Sequence, residues 1–475
     1  MSKFNQTNTV KTVNREGNPA YAMSAKSKLI TQVLTSFFNE AKFYGDNSDE
    51  MRETIQAVIK TDPAFISKLA VFARREFHMR SVSHVLTAYL AHEPEGKPFV
   101  RKTVRGVTQR GDDVTEIMAF YLQTFGKPVP NSLKRGIGDV MKGFDEYTLA
   151  KYKGSSKAIK MRDLLCLCRP KPKDEAQAAL WKRCLENKLA TPVTWETELS
   201  AKGNNAKTWE ALIDSGKVGY MALLRNLRNI LQANPRNLKK VWQTIEDPEA
   251  VRRSRQLPFR FLSAYKSVAS LAGSRGLTAL EQAAAVSVEN MPRLNGTTVI
   301  AVDVSGSMNC RLSDKSDVCC EEVAMLLGLI GSRICDDCLF YTFDTEIRKV
   351  PVSQNTDILR ECMNHSWGGG TDIGLPFKKM REDRVRADRV IILSDNECNA
   401  GYRSPVQTLA DKYRRASGRD IWVHAIDLQG YGTQQFHGAK TNIIAGWSEK
   451  VFDFIGLAEA GVGSLEKTIA AYEWE

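Results

Sequence analysis

Two carboxylates and three hydroxyls in the C-terminal part of the chain make up an oxygen-only donor set. Asp303, Ser305 and Ser307 fall in the run Val299–Met308, Thr371 follows the triple glycine 368–370, and Asp395 closes the apolar run that begins at Val390. Such donors suit a hard divalent cation, above all magnesium, which prefers oxygen ligands in octahedral geometry and keeps several waters. The spacing Asp-x-Ser-x-Ser turns alternate side chains toward one centre where the backbone is extended. Gly306 lets that loop bend tightly, and glycines 368–370 do the same ahead of Thr371. Taken singly, these residues also cap helices and close turns. As a set they point to a cation.

Catalysis has less to draw on. The six histidines, at 78, 84, 92, 365, 424 and 437, form no His-x-x-x-His pair. His365 lies six residues before Thr371 and could approach the cation. Asp395, Asn396 and Glu397 could serve a metal-assisted hydrolase, but no general base accompanies them. The expectation is a protein without enzymatic activity.

The elements that must position this set follow from hydrophobic spacing. Val299–Val304, Leu339–Phe343, Val390–Leu393 and Ile421–Ile426 are short apolar runs with little alternation. Helical segments separate them, including Val318–Ser332 and Thr408–Ala416. This order predicts a doubly wound, Rossmann-like parallel sheet covered on both faces, with ligands at the C-terminal ends of its strands. Asp303 and Asp395 stand at such ends.

Residues 1–290 read as almost entirely helical. The expected helices are Ser27–Glu40, Ala64–His78, Val82–His92, Glu116–Phe125, Leu133–Gly143, Ala176–Glu186, Gly219–Gln232, Leu238–Glu246, Phe259–Gly273 and Thr278–Val288. Breakers such as Asp62-Pro63, Glu93-Pro94 and Asp247-Pro248 separate them. Many short helices without strands predict an α-solenoid of helix pairs. The expected domains are therefore 1–290, helical, and 291–475, α/β.

Charge divides the chain at the same place. The chain carries +12 overall, yet residues 291–475 hold 21 Lys/Arg against 26 Asp/Glu, a net of −5, which leaves +17 for residues 1–290. That asymmetry implies a polyanion partner for the helical part, RNA before DNA. The excess is densest from Asn131 to Lys173, where Lys134, Arg135, Lys142, Lys151, Lys153, Lys157, Lys160, Arg162, Arg169, Lys171 and Lys173 face only four acids. Tyr147 and Tyr152 lie among them. Such a stretch can contact phosphates and stack bases without reading sequence. Arg252, Arg253, Arg255 and Arg260 form a second basic run, and Arg225 and Arg228 share one helical turn. The ten cysteines are too scattered for a disulfide framework. Cys335-x-x-Cys338 and Cys166-x-Cys168 lack the second pair a structural zinc site needs. No apolar run reaches the length of a membrane span, and the first residues lack the core of a secretory signal, so a cytoplasmic location is expected.

The set Asp303, Ser305, Ser307, Thr371 and Asp395 resembles the metal-ion-dependent adhesion site of von Willebrand factor A domains. That resemblance implies that Ser305, Ser307 and Thr371 bind the cation directly or nearly so, that Asp303 and Asp395 act through waters, and that an open position accepts an acidic group. The whole chain resembles the Ro60, or TROVE-module, RNA-binding proteins. The segments that carry it are Val13–Gly17, Phe72–Arg80, Lys151–Lys153, Asp163–Leu165 and Ala222–Arg228, followed by the metal-site domain. The family implies HEAT-like helical repeats closed into a ring by the A domain. It also implies Y RNA or Y-like RNA on a basic outer surface, and single-stranded 3′ ends of misfolded non-coding RNA in the hole. Lys151 matches a lysine of the family's outer RNA surface, and Arg169 stands where animal members carry a histidine. One residue is inserted between Lys151 and Arg162. The compact length resembles bacterial or phage members, whose kinship implies a 3′-exoribonuclease partner such as polynucleotide phosphorylase. The rival expectation is a metal-dependent protein-interaction module acting through the A domain.

Overall fold

The computed structural model describes residues 10–14, 17–36, 49–153, 158–256, 258–289, 291–311, 318–353, 356–364, 368–399, 405–446, 450–461 and 465–474. Strands β1 (Lys11–Val13) and β2 (Pro19–Ala22) precede a long helical series. Its members are α1 (Ala25–Thr35), α2 (Asp49–Thr61), α3 (Pro63–Arg75), α4 (Ser81–His92), α5 (Val100–Val107), α6 (Asp113–Phe125) and α7 (Asn131–Met141). Then come α8 (Glu146–Lys151), α9 (Met161–Cys168), α10 (Glu175–Leu185), α11 (Trp195–Lys202), α12 (Ala206–Asp214) and α13 (Tyr220–Ala233). The series closes with α14 (Leu238–Glu246), α15 (Pro248–Ser254), α16 (Pro258–Val268) and α17 (Gly273–Ser287). The α/β part follows as β3 (Leu294–Asp303), α18 (Cys320–Ile334), β4 (Cys335–Phe343), β5 (Ile347–Lys349), α19 (Ile358–Glu361) and α20 (Leu375–Glu382). It continues with β6 (Arg389–Ser394), α21 (Gln407–Ser417), β7 (Trp422–Asp427), β8 (Thr433–Gln434), β9 (Thr441–Ala445), α22 (Lys450–Glu459) and α23 (Leu465–Ala471).

These elements form two compact units. One comprises residues 25–193 with 465–475, and the other residues 1–24 with 194–464. In the first unit successive helices pack on one another: α2 on α3, α3 on α4, α4 on α6, α5 on α7 and α7 on α9. The proline breakers start and stop these helices as expected. Pro63 opens α3, and the Asp62 side chain accepts from the Phe65 backbone N–H at 3.1 Å, satisfying one orphan donor of the first turn. A buried network centred on Asp113 ties α3, α4 and α6 together. Its carboxylate accepts from Arg74 Nη2 at 3.0 Å and Arg80 Nε at 2.7 Å, and lies 3.2 Å from His84 Nε2.

In the second unit six of the described strands form one sheet in the order β5-β4-β3-β6-β7-β9, parallel apart from the edge strand β5. Alternate residues of β3 serve opposite faces. Val299 and Ala301 join Phe377 and Met380 of α20 and Ala410 and Tyr413 of α21 in one core. Ile300 and Val302 approach Gly331 and Gly328 of α18 on the other. Both faces are covered, and that is why the strands are continuous apolar runs.

The reading of residues 1–290 as free of strands needs correction. β1 and β2 pair antiparallel, and β2 pairs with β8, Tyr21 opposite Gln434. Such short strands show no usable alternation, and the strand that extends their hairpin, β8, is hundreds of residues away. Tyr21 packs edge-on against His437 at 4.4 Å, and Asn14 Nδ2 donates to Cys398 O at 2.9 Å. Among the described residues no helix is long and apolar enough to cross a membrane.

Candidate metal centre and nucleic-acid interface

β3 ends at Asp303 and β6 at Ser394, one residue before Asp395, so two carboxylates leave neighbouring parallel strands at the same edge. Asp303 and Asp395 are fully buried, Ser305 and Thr371 nearly so, and Ser307 is exposed. Asp303 Oδ1 accepts from the Ser305 backbone N–H at 2.9 Å, and Asp303 Oδ2 from Ser394 Oγ at 2.8 Å. The hydroxyls of Ser305 and Ser307 lie 3.2 Å apart. Thr371 is fixed by Asn399, whose Oδ1 accepts from the Thr371 N–H at 2.6 Å and whose N–H donates to Thr371 O at 3.1 Å.

The glycine loop joins these pieces. Gly306 N–H donates to Gly369 O at 3.0 Å and Gly368 N–H to Val304 O at 3.1 Å. The left-handed backbone falls on Gly368 and Gly369, at φ of 80° and 107°, and not on Gly306. A Cβ on Gly370 would stand 2.7 Å from Asn399 Oδ1, so that position is kept clear for the bond that orients Thr371.

The electrostatics favour a cation. Burial, and then the charge of Asp395, push the Asp303 carboxyl up to about 7. A third carboxyl missed in the sequence, Asp427 at the end of β7, is also pushed up to about 7, by burial and by Asp395 and Glu397. Buried like charges that raise one another's proton affinity are relieved by a positive ion. Among the described residues no three His, Cys, Asp or Glu side chains converge as a metal site, so a cation here must draw on hydroxyls. The donor set therefore fits a hard divalent ion. The missed residues were findable: Asp427 ends an apolar run just as Asp303 and Asp395 do, and Ser394 directly precedes Asp395.

The basic stretch lies on α7 to α10 of the first unit. Lys153, Lys160 and Arg162 line one cavity of about 160 Å³, whose wall includes Ala150, Met161 and Leu189. Lys134, Arg135 and Lys142 ride on α7 and its end, with Lys142 Nζ 3.9 Å from Asp139. Asp139 itself is engaged by Arg101 Nη2 at 2.6 Å. Lys151 Nζ sits 5.5 Å from the Tyr147 ring and 5.6 Å from the Tyr152 ring, cations and aromatics interleaved as expected. Arg169 caps α9 in the left-handed conformation, φ 47° and ψ 53°, and with Lys171 is exposed. Arg162 is exposed, with Asp163 3.7 Å away. Among the described residues Lys134, Arg135, Lys151, Lys153, Lys160, Arg169 and Lys171 have no acidic partner within 4.0 Å. Lys157 and His365 lie outside the described residues.

The second basic run is partly neutralised: Arg252 pairs with Glu249 at 2.7 Å and Glu289 at 2.5 Å. Arg225 and Arg228 are exposed on α13. Among the described histidines, His84 and His424 are buried against carboxylates, and His92 stacks on Phe125 at 4.0 Å.

A family model described as the TROVE domain matches residues 13–187 and 182–293, and one described as the Ro60 vWA domain matches residues 297–426. The chain is 26% identical over 336 residues to telomerase protein component 1 of Rattus norvegicus, covering 52% of this chain and 13% of that protein. It is 30% identical over 244 residues to RNA-binding protein RO60 of Caenorhabditis elegans, covering 48% and 38%. It is likewise 30% identical over 221 residues to RNA-binding protein RO60 of Deinococcus radiodurans, covering 42% and 41%. The chain thus spans less than half the length of these curated relatives. A crystal structure of the Deinococcus radiodurans Ro (RSR) protein shares the fold at a TM-score of 0.61 and 20% identity, over 88% of this chain and 92% of that one.

Proposed function

The chain belongs to the TROVE-domain family with a Ro60 vWA domain, and from that premise we propose that it is a non-catalytic RNA-binding scaffold. The observation that carries this reading is the exposed basic surface on α7 to α10, where lysines and arginines alternate with Tyr147 and Tyr152 and few acids neutralise them. Relatives named RNA-binding protein RO60 support it. Ion pairs to phosphates supply the affinity and aromatic faces accept bases. In the finer form of the proposal, Y-like RNA docks on this surface, and single-stranded 3′ ends of misfolded RNA are held elsewhere on the helical repeats. The protein then serves RNA quality control in the cytoplasm, alongside a 3′-exoribonuclease such as polynucleotide phosphorylase.

The test is a salt titration. Affinity for a Y-like stem-loop falls steeply between 50 and 200 mM salt in the wild type. Lys151→Ala with Arg169→Ala weakens binding about tenfold or more and flattens the log–log slope by roughly 1.5, while the far-ultraviolet dichroism stays unchanged. A flat salt response, or an unchanged slope in the double variant, refutes this surface as the RNA site.

The second unit takes a different role. Asp303, Ser305, Ser307, Thr371 and Asp395 would hold magnesium, which would supply a Lewis-acidic position for a carboxylate from a partner. The burial of Asp303 and Asp395 beside each other favours that reading. Millimolar magnesium raises the melting temperature of the wild type by several degrees, as mass action requires when only the folded state binds. Asp303→Ala loses that increment without losing stability in EDTA, because it also removes a repelling buried charge. A melting temperature indifferent to magnesium in both proteins argues that no cation binds.

A further inference from the structure

Cys310 and Cys320, which no part of the cation or RNA reading uses, lie with their sulfurs 2.6 Å apart. We infer that they form a reversible intrachain disulfide beside the cation loops. The backbone already holds the two residues side by side. The Cys320 N–H donates to Cys310 O at 2.9 Å, and Arg311 pairs antiparallel with Cys319. Only a small approach separates the thiols from a bond of about 2.05 Å.

The surroundings assign different roles to the two sulfurs. Gln429 Nε2 donates to both, at 2.8 Å to Cys310 and 2.6 Å to Cys320, a donor set that stabilises a thiolate. The hydrogen bond from Cys320, opposed by burial and aided by Gln429, brings the Cys310 thiol down to about 7. Cys310 is partly exposed and Cys320 is buried, so Cys310 is the attacking sulfur and Cys320 the resolving one. The hydrogen bond to Cys310, and then burial, hold the Cys320 thiol well above its ordinary value while the two sulfurs share a proton, whereas Cys319, next to it in sequence, stands at the N-cap of α18 with its backbone N–H donating to Glu322 Oε2 at 2.9 Å.

The oxidant is a low-molecular-weight disulfide such as oxidised glutathione. The Cys310 thiolate attacks one of its sulfurs, forming a mixed disulfide and releasing one glutathione thiolate. Cys320 loses its proton to solvent, attacks the Cys310 sulfur and expels the second glutathione thiolate. Two protein thiols are oxidised and one small disulfide is reduced to two thiols.

The bond would tie Cys310, which follows the turn Gly306–Asn309 bearing Ser307, to the first residue of α18. A consequence that rests on the cation reading follows: the oxidised protein holds its hydroxyl loop more firmly and binds magnesium several-fold more tightly.

The experiment equilibrates the full chain in glutathione buffers of graded redox ratio, alkylates the remaining thiols and maps the peptides by mass spectrometry. The expected product is a 310–320 cross-linked peptide. It is absent from Cys310→Ser and from Cys320→Ser, and oxidation raises the melting temperature of the wild type alone by about 5 °C or more. Alkylation of both thiols at every ratio, or linkage only through Cys319 or between chains, overturns the proposal. Asp303→Ala separates the two readings, because it abolishes the magnesium response and retains the cross-link.

Discussion

Replacing Asp113 with alanine lowers the stability of the first helical unit by about 3–5 kcal/mol, the usual cost of removing one partner of a buried ion pair. Asp113 is fully buried and answers five donors. Besides Arg74, Arg80 and His84, the backbone N–H groups of Gln109 and Arg110 donate to Oδ2 at 3.0 and 2.9 Å, which fixes the turn entering α6. Arg74 is itself only 5% exposed, so the variant strands a guanidinium away from water. In a unit of this size the loss reads as a melting-temperature drop of roughly 10 °C. A drop under about 3 °C shows that the network contributes no more than about 1 kcal/mol to folding and refutes the expected loss.

The pH dependence of that network has a definite sign. Burial, opposed by the hydrogen bond to Asp113 and reinforced by the charges of Arg80 and Arg74, depresses the proton affinity of His84. A histidine neutral when folded takes up a proton on unfolding once the pH is below its ordinary value near 6.5, so stability falls as the pH drops through that value. Burial raises the Asp113 carboxyl, but the hydrogen bond from His84 and the charge of Arg74 outweigh it and hold the group far below the usual carboxylate range. Its contribution is full above pH 4 and erodes only in stronger acid. Within this network the loss between pH 7 and 5 therefore belongs to His84, and His84→Gln removes that share of the slope, while His424, whose proton affinity burial likewise depresses in the second unit, keeps its own.

Much of this architecture was legible because burial imposes a period. α3, α6 and α13 repeat apolar residues at three and four steps, and the buried stretches Val299–Val302 of β3 and Val390–Leu393 of β6 are unbroken apolar runs because helices cover both sheet faces. α5 was missed because its eight residues include two arginines and a lysine. β1, β2 and β8 were missed because a two- to four-residue strand carries no period, and the pairing of β2 with β8 joins distant parts of the chain. At the candidate site the five oxygen donors announce themselves by spacing. The groups that orient them do not: Asn399 sits 28 residues from Thr371, and Ser394 sits 91 from Asp303. Cys310 and Cys320 are ten residues apart, outside any metal or redox motif, and only the fold shows them touching.

Glu459→Ala separates the stability of the sheet from the chemistry at its edge. Arg389 opens β6 with its side chain 7% exposed, and Glu459 of α22 receives its Nε and Nη2 at 2.7 and 2.8 Å. Arg389 Nη1 also donates to Thr298 Oγ1 at 2.8 Å, and His424 Nε2 lies 2.9 Å from Glu459 Oε1. The alanine variant leaves a bidentate guanidinium without its carboxylate and costs about 3–5 kcal/mol. Burial raises the Glu459 carboxyl, but the hydrogen bonds from His424 and Arg389 more than reverse it, down to about 2. Its stabilisation is therefore complete above an unfolded value near 4.3 and disappears as pH falls toward 2. Wild type and variant differ fully at neutral pH and converge in acid. Arg389 lies five residues from Ser394 along β6, about 16 Å in an extended strand, so the network and the cation donors occupy opposite ends of the sheet. The variant should melt far below wild type yet gain the same number of degrees from magnesium. If the magnesium increment vanishes with Glu459, the donors are positioned by the whole sheet and not by the loops that carry them.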